Sequence, residues 1–84
     1  MSLFQKTETP TRQVDVEILG YEDGDLELSL TCMRNEEVED YIMSLAELER
    51  ITGWENPRAE LEERVPLRAV MTVMRDTVVN IVFN

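Results

Sequence analysis

Two segments in which apolar and polar side chains strictly alternate constrain the fold of this chain more than any other feature. The first segment is Arg12–Leu19, with Val14, Val16 and Ile18 on its apolar face, and the second is Leu26–Cys32, in which every second residue is apolar. Successive side chains of a β-strand point to opposite faces, so each segment predicts a strand with one buried face. The acidic stretch Glu22–Asp25 contains Gly24 and predicts the turn that joins the two strands into an antiparallel hairpin.

The middle of the chain predicts a short helix. Residues 38–43 are compatible with a third strand or with the opening of this helix. Ser44 and Glu47 have the spacing of a capping box, which predicts a helix that begins near Leu45. Gly53 is a typical helix terminator.

A second short helix is predicted directly after the first. Asn56 and Pro57 suit the cap and the first position of a helix over residues 58–64, and Pro66 interrupts it. This segment is highly charged, so we expect it to lie on the surface.

The C-terminal segment, residues 67–83, has two interpretations. On a helix its apolar residues form one stripe about 120° wide. As strands, residues 77–82 are rich in β-branched side chains, but the hairpin turn would fall at Arg75 and Asp76, which lack the preferred glycine or asparagine. We favour the helix over the β-hairpin. The stripe contains Leu67, Val70, Met71, Met74, Val78, Ile81 and Val82.

Together these elements predict a small single α+β domain over residues 12–84. It consists of an antiparallel β-meander, a short central helix and an amphipathic C-terminal segment. Residues 1–11 show no apolar periodicity and predict a flexible N-terminal arm. A chain of 84 residues buries only a small core, so we expect oligomerisation to add stability.

The charge balance restricts the classes of function. Asp and Glu outnumber Lys and Arg by 18 to 8, giving a net charge of -10, and there is no histidine. This charge repels nucleic acids and anionic membranes and favours basic partners. The lack of histidine removes the commonest general base and metal ligand. We therefore expect a protein that is not an enzyme, holds no cofactor or metal, and binds neither nucleic acid nor membrane directly.

The single cysteine, Cys32, cannot form an internal disulfide, which is typical of a reducing compartment. We expect a cytoplasmic location, which for a viral protein means the host cytoplasm. Because Cys32 lies on the apolar face of a predicted strand, it is interpreted as a core residue rather than a nucleophile.

Closely spaced carboxylates and a lone tryptophan predict a partner-binding site. Carboxylates in a run can imitate the phosphates of DNA, and tryptophan is enriched at binding hot spots. We expect the partner to be a protein that is basic or has an exposed apolar surface. The predicted partner-binding residues are Glu36, Glu37, Glu39, Asp40, Glu47 and Trp54.

The C-terminal segment carries more apolar side chains than a small domain can cover. Exposed apolar surface of this kind is normally hidden by a neighbouring copy. We therefore expect a homo-oligomer. The predicted self-association residues are Met71, Met74, Val79 and Phe83.

Three segments of the chain together suggest a family. They are residues 11–16, the step Thr52-Gly53-Trp54-Glu55, and the step Val65-Pro66-Leu67 with the apolar stripe that follows it. Their order resembles that in the tail assembly chaperones of long-tailed bacteriophages. The resemblance implies an extended β segment, a helical region and an amphipathic C-terminal helix. It also implies a non-enzymatic protein that binds the tape-measure protein and tail-tube subunits during virion assembly.

Two functional hypotheses follow. The first is a phage-type accessory or assembly factor that binds proteins. The alternative is an acidic inhibitor that mimics DNA and blocks a nucleic-acid-binding protein of the host.

Overall fold

The computed structural model describes residues 10–84, which form five strands and two short helices. The strands are β1 (Arg12–Asp23), β2 (Glu27–Arg34), β3 (Glu37–Ser44), β4 (Leu67–Met74) and β5 (Thr77–Phe83). The helices α1 (Leu45–Thr52) and α2 (Pro57–Arg64) connect β3 to β4. Apart from residues 10 and 11, the predicted N-terminal arm lies outside the described residues.

The five strands close into a barrel in the order β1-β2-β3-β5-β4. The antiparallel meander is confirmed for β1, β2 and β3. The sheet as a whole is mixed, because β3 and β5 run parallel and pair at one position, Ile42 with Thr77. With a helical connection between β3 and β4, the barrel has the layout of an OB-fold, a five-stranded Greek-key barrel.

The predicted N-terminal hairpin is confirmed, and its buried face begins at Leu28. Leu28 and Leu30 are completely enclosed, whereas Leu26 lies in the turn and is 82% exposed. A β-bulge between Ile18 and Gly20 shifts the register and lets β1 continue beyond the predicted end of the strand.

Gly24 is required in the hairpin turn for space. A Cβ atom added there would lie 2.5 Å from the carbonyl oxygen of Glu27. Arg58 of α2 also reaches this turn, where it donates to the carboxylate of Asp23 and, over 3.0 Å, to the carbonyl oxygen of Gly24. These two contacts of Arg58 with the hairpin turn therefore anchor α2 to the barrel.

The helix boundaries follow the predicted caps. The N–H of Glu47 donates to Ser44 Oγ over 3.3 Å at the start of α1, and Gly53 ends the helix with φ 77°. Residues 38–43 belong to β3, which settles the alternative left open by the sequence. Asn56 caps α2 by accepting from the N–H of Ala59 over 3.3 Å.

The predicted C-terminal helix is wrong, because residues 67–83 form the hairpin β4-β5. Its turn uses Arg75 at φ 60° in place of a glycine. A β-bulge places Val79 as an extra residue in β5, so the two buried positions, Val78 and Ile81, are three residues apart. This step of three resembles helical spacing and explains why the apolar pattern favoured a helix.

Inward-facing side chains from all five strands fill the barrel, and α1 and α2 each add one leucine. Burial raises the pKa of the Cys32 thiol to about 12, with Asp40 and Glu39 adding to the shift, so the thiol is protonated at neutral pH. The buried residues are Val14, Val16, Ile18, Leu28, Leu30, Cys32, Tyr41, Met43, Leu48, Leu61, Ala69, Met71, Val73, Val78 and Ile81.

Substituting Leu28 and Leu26 separately with aspartate tests this hairpin register. Leu28→Asp places an unpaired carboxylate in the core and should lower the free energy of unfolding by about 3 to 5 kcal/mol. Leu26→Asp adds the same charge at an exposed position and should change it by less than about 0.5 kcal/mol. Urea denaturation of the two variants measures the difference, and similar losses for both would contradict the register.

Candidate protein-docking site

Strand β3 separates the predicted acidic residues instead of aligning them. Glu39 lies on the same side of the strand as the buried Tyr41, whereas Asp40 points to the outer face with Val38. Glu36 and Glu37 are exposed at the β2-β3 turn. The five predicted carboxylates therefore do not form one continuous row.

Glu39 is engaged inside the domain by two neighbouring side chains. Its Oε1 accepts a hydrogen bond from the Tyr41 hydroxyl at 2.5 Å and from Arg34 Nε at 3.2 Å. These two bonds lower the pKa of the Glu39 carboxyl, and the bond from Tyr41 has the larger effect. Burial and the same carboxylate raise the pKa of the Tyr41 hydroxyl. We call these three residues the Arg34–Glu39–Tyr41 cluster, and its position indicates a structural role.

Glu47 is also occupied by a local partner. Its Oε1 lies 2.6 Å from Arg50 Nη2, one turn further along α1. The hydrogen bond from Arg50 lowers the pKa of the Glu47 carboxyl. Two of the predicted partner-binding carboxylates thus already have basic neighbours.

The carboxylate excess nevertheless remains on the surface. Within residues 10–84, five arginines form ion pairs with carboxylates: Arg34, Arg50, Arg58, Arg64 and Arg68. Because the chain has 18 acidic and 8 basic residues, at least ten carboxylates have no basic side chain to pair with one to one. The domain therefore presents a negative field to any protein that approaches.

Trp54, the last of the predicted partner-binding residues, is half-buried at one end of the barrel. The backbone N–H of Trp54 donates a hydrogen bond to Thr52 Oγ1 over 3.1 Å, just after the end of α1. The indole ring stacks on Phe83 of β5 with ring centroids 5.2 Å apart and planes inclined by 28°. The guanidinium carbon of Arg64 lies 5.2 Å from the Trp54 ring centroid, which allows a cation–π interaction.

A groove of about 540 Å³ opens beside this aromatic stack, and we call it the Trp54 groove. One wall comes from the end of α1 and from Trp54, and Arg64 and Leu67 add to the lining. The other wall consists of residues 80–84, five consecutive positions. Because neighbouring side chains of a strand point to opposite faces, a groove lined by consecutive residues follows the edge of β5.

The structure divides the predicted self-association residues among three environments. Met71 is completely buried inside the barrel, so its predicted contact with another copy is wrong. Phe83 belongs to the Trp54 groove. Met74 and Val79 are exposed, as the prediction requires, with 38% and 36% of their surface accessible.

Val82 belongs to the predicted apolar stripe but is not among the four predicted self-association residues. It is 58% exposed, because it pairs with Val70 on the outer face of the hairpin. On a helix Val82 and Ile81 would fall on the same apolar stripe, whereas on a strand they point to opposite faces. Only the strand interpretation of residues 77–82 therefore predicts that Val82 is exposed and Ile81 buried. Together, Val70, Met74, Val79 and Val82 form what we call the hairpin patch.

Comparison of the chain with family models, curated proteins and solved structures finds no match in any of the three. Over residues 10–84, no three His, Cys, Asp or Glu side chains come together as metal ligands would. Neither α1 nor α2 is long and apolar enough to cross a membrane.

The Arg34–Glu39–Tyr41 cluster should make part of the free energy of unfolding depend on pH. The pKa of Glu39 is lower in the folded protein than in the unfolded chain, where it is about 4.3. The ionised carboxylate therefore stabilises the fold fully above the unfolded pKa. This stabilisation is lost as the pH falls through the folded pKa. Glu39→Gln should therefore flatten the decrease in the free energy of unfolding below about pH 5.

Denaturation of the wild type and both variants at several pH values between about 7 and 3 measures this slope. Tyr41→Phe removes only the hydroxyl bond to Glu39 and should give an intermediate slope. Parallel profiles for the wild type and Glu39→Gln would show that the cluster contributes nothing.

Proposed function

We propose that this protein is a small acidic, non-enzymatic module that binds another protein at the Trp54 groove. The single observation that carries the proposal is the groove itself, an aromatic stack beside a strand edge that carries no charged residue. A tryptophan that is half-buried next to such an edge is typical of a binding hot spot.

The surface charge supports a basic partner. The net charge of -10 raises the association rate with proteins of opposite charge and lowers it with acidic ones. The groove lining contains Arg64 but no acidic side chain, so the apolar contacts would determine affinity inside it.

The fold alone does not decide the class of ligand. In OB-fold barrels, oligonucleotides bind the face of β2 and β3 and the adjoining turns. Here that region carries Asp40 on β3, Asp25 in the β1-β2 turn and Asp76 in the β4-β5 turn. These carboxylates oppose phosphate binding and favour a protein ligand.

A role as a phage-type accessory or assembly factor is part of this proposal. The resemblance to tail assembly chaperones now depends on the β segment of β1 and on the Gly53-Trp54-Glu55 step, since its C-terminal helix is absent from the fold. That step is also the part of the chain that forms the Trp54 groove.

A mimic of DNA is the second candidate. The excess of carboxylates supports it, whereas Glu39 and Asp40 on opposite sides of β3 weigh against a phosphate-like row. A mimic would be displaced from its target by duplex DNA, and an assembly factor would not.

Affinity capture from lysate of the source organism tests the proposed site with matched variants. Wild type and Leu26→Ala should retain the same protein, because Leu26 is exposed and does not line the groove. Trp54→Ala should reduce its recovery at least about tenfold, the size of effect expected of a hot spot. A thermal melt confirms that this variant is folded.

Raising the salt concentration from about 0.05 M to about 0.5 M should also weaken capture, because screening shortens the range of surface charges. Recovery that neither salt nor Trp54→Ala alters would overturn the proposed site. A charge reversal at the exposed groove rim, Glu55→Lys, gives a second readout if Trp54→Ala does not fold.

We also propose that two copies of the chain associate through the hairpin patch. Two molecules with a charge of -10 repel each other, so a self-contact needs a surface on which no carboxylates oppose one another. Val70, Thr72, Asn80 and Val82 form two cross-strand pairs on the outer face of β4-β5, and none of them is charged.

Sedimentation velocity over a range of concentrations tests this contact. The wild type should form dimers, whereas Met74→Lys and Val79→Lys should be monomeric because each places a charge in the hairpin patch. Leu26→Lys makes the same change of charge at an exposed residue elsewhere and should still form dimers. A wild type that is monomeric at high concentration would contradict the proposal.

A further inference from the structure

The second edge of β5 is paired with a neighbouring strand at only one position. β5 pairs with β4 over Thr77–Phe83, but with β3 it pairs only at Thr77. Beyond that position, α1 and Trp54 stand beside the strand and leave the Trp54 groove between them.

The backbone groups on this edge can be identified from the β4-β5 register. The N–H of Asn84 donates to the carbonyl oxygen of Arg68 over 3.1 Å. Hydrogen-bonded and non-bonded pairs alternate along antiparallel strands, so Val82 also bonds to β4. The N–H and C=O groups of Ile81 and Phe83 therefore point away from β4, toward the groove.

Natural sheets usually protect such an edge with lysine, proline or a covering element. From Thr77 to Phe83 the sequence of β5 contains no charged residue and no proline. An extended peptide that adds to an edge gains main-chain hydrogen bonds, and its alternate side chains give specificity.

We propose that the Trp54 groove binds an extended segment of a partner protein by strand addition to β5, with apolar side chains at alternate central positions and basic residues at its ends. This inference rests on the proposed function and names the form of the ligand. The central positions would contact Trp54 and Phe83, and the main chain would bond to Ile81 and Phe83.

The charges next to the groove select the ends of this segment. Glu55 and Glu63 are exposed and directly adjoin Trp54 and Arg64, which line the groove. Lysine or arginine at the ends of the ligand would be attracted to these carboxylates. A second copy of the chain would bring the same two glutamates to the rim, so the charge pattern favours a basic partner over self-pairing at this edge.

A capped peptide of sequence Lys-Thr-Val-Thr-Val-Lys serves as the probe, and backbone amide hydrogen exchange followed by NMR is the measurement. At saturation the peptide should slow exchange at the amides of Ile81 and Phe83 by at least about tenfold, because strand addition gives them acceptors. The amides of Val82 and Asn84, which already bond to β4, should change less.

Two control peptides separate the contributions. Glutamate in place of both lysines should weaken binding. N-methylation of both valines should abolish binding, because the methyl groups replace main-chain N–H donors.

On the protein, the double substitution Glu55→Gln and Glu63→Gln should weaken binding of the lysine probe. The double substitution Glu22→Gln and Glu27→Gln removes the same charge elsewhere and should not weaken it.

The outcomes decide between the occupants. Binding without protection of Ile81 and Phe83, equal binding of the glutamate peptide, or no binding at millimolar peptide would each overturn strand addition by a basic segment. Protection of the two amides in the free protein, rising with its concentration, would assign the edge to a second copy and would also overturn it.

A captured partner that depends on Trp54 but leaves these amides unprotected keeps the proposed function and overturns only the strand addition. Protection by the peptide, with capture unchanged in Trp54→Ala, overturns the proposed partner site instead.

Discussion

The whole barrel depends on the ability of β1 to pair with two neighbours. Its first part pairs with β4 from Arg12 to Ile18, and its last part pairs with β2 from Glu17 to Asp23. The bulge after Ile18 adjusts the register between these two parts and allows the strand to curve. Because β1 is long enough to serve both partners, the sheet closes and its apolar face becomes an interior.

Closure is uneven around the barrel, and the candidate site lies where it is weakest. The β3-β5 seam has one paired position, supported by a 2.8 Å bond from the N–H of Ile42 to the carbonyl oxygen of Asp76. The remainder of the β5 edge is left to the helical connection, which contributes Trp54 to the groove. The same geometry that completes the core thus leaves the second edge of β5 available for a ligand.

Electrostatics and apolar contact have separate places in this molecule. The carboxylates cover the surface and determine which proteins approach, whereas the groove lining contains no acidic residue. Local ion pairs remove Glu39 and Glu47 from the surface field by giving each an arginine. Long-range attraction and short-range recognition can therefore change independently, which is useful for a module whose partner must be both found and held.

The local elements of this protein follow from its amino-acid sequence alone. Strict alternation specified the β1-β2 hairpin, and the Ser44, Gly53 and Asn56 caps specified both helices, because these signals act within a few residues. The remaining features depend on long-range strand pairing. The bulge at Val79 gave the C-terminal hairpin a helix-like spacing, and only the pairing of β4 with β5 in the closed barrel places Met71 inside and Val82 outside. The groove likewise joins Trp54 to Phe83, 29 positions apart in the chain. No local pattern encodes that contact, since it exists only after long-range strand pairing closes the barrel.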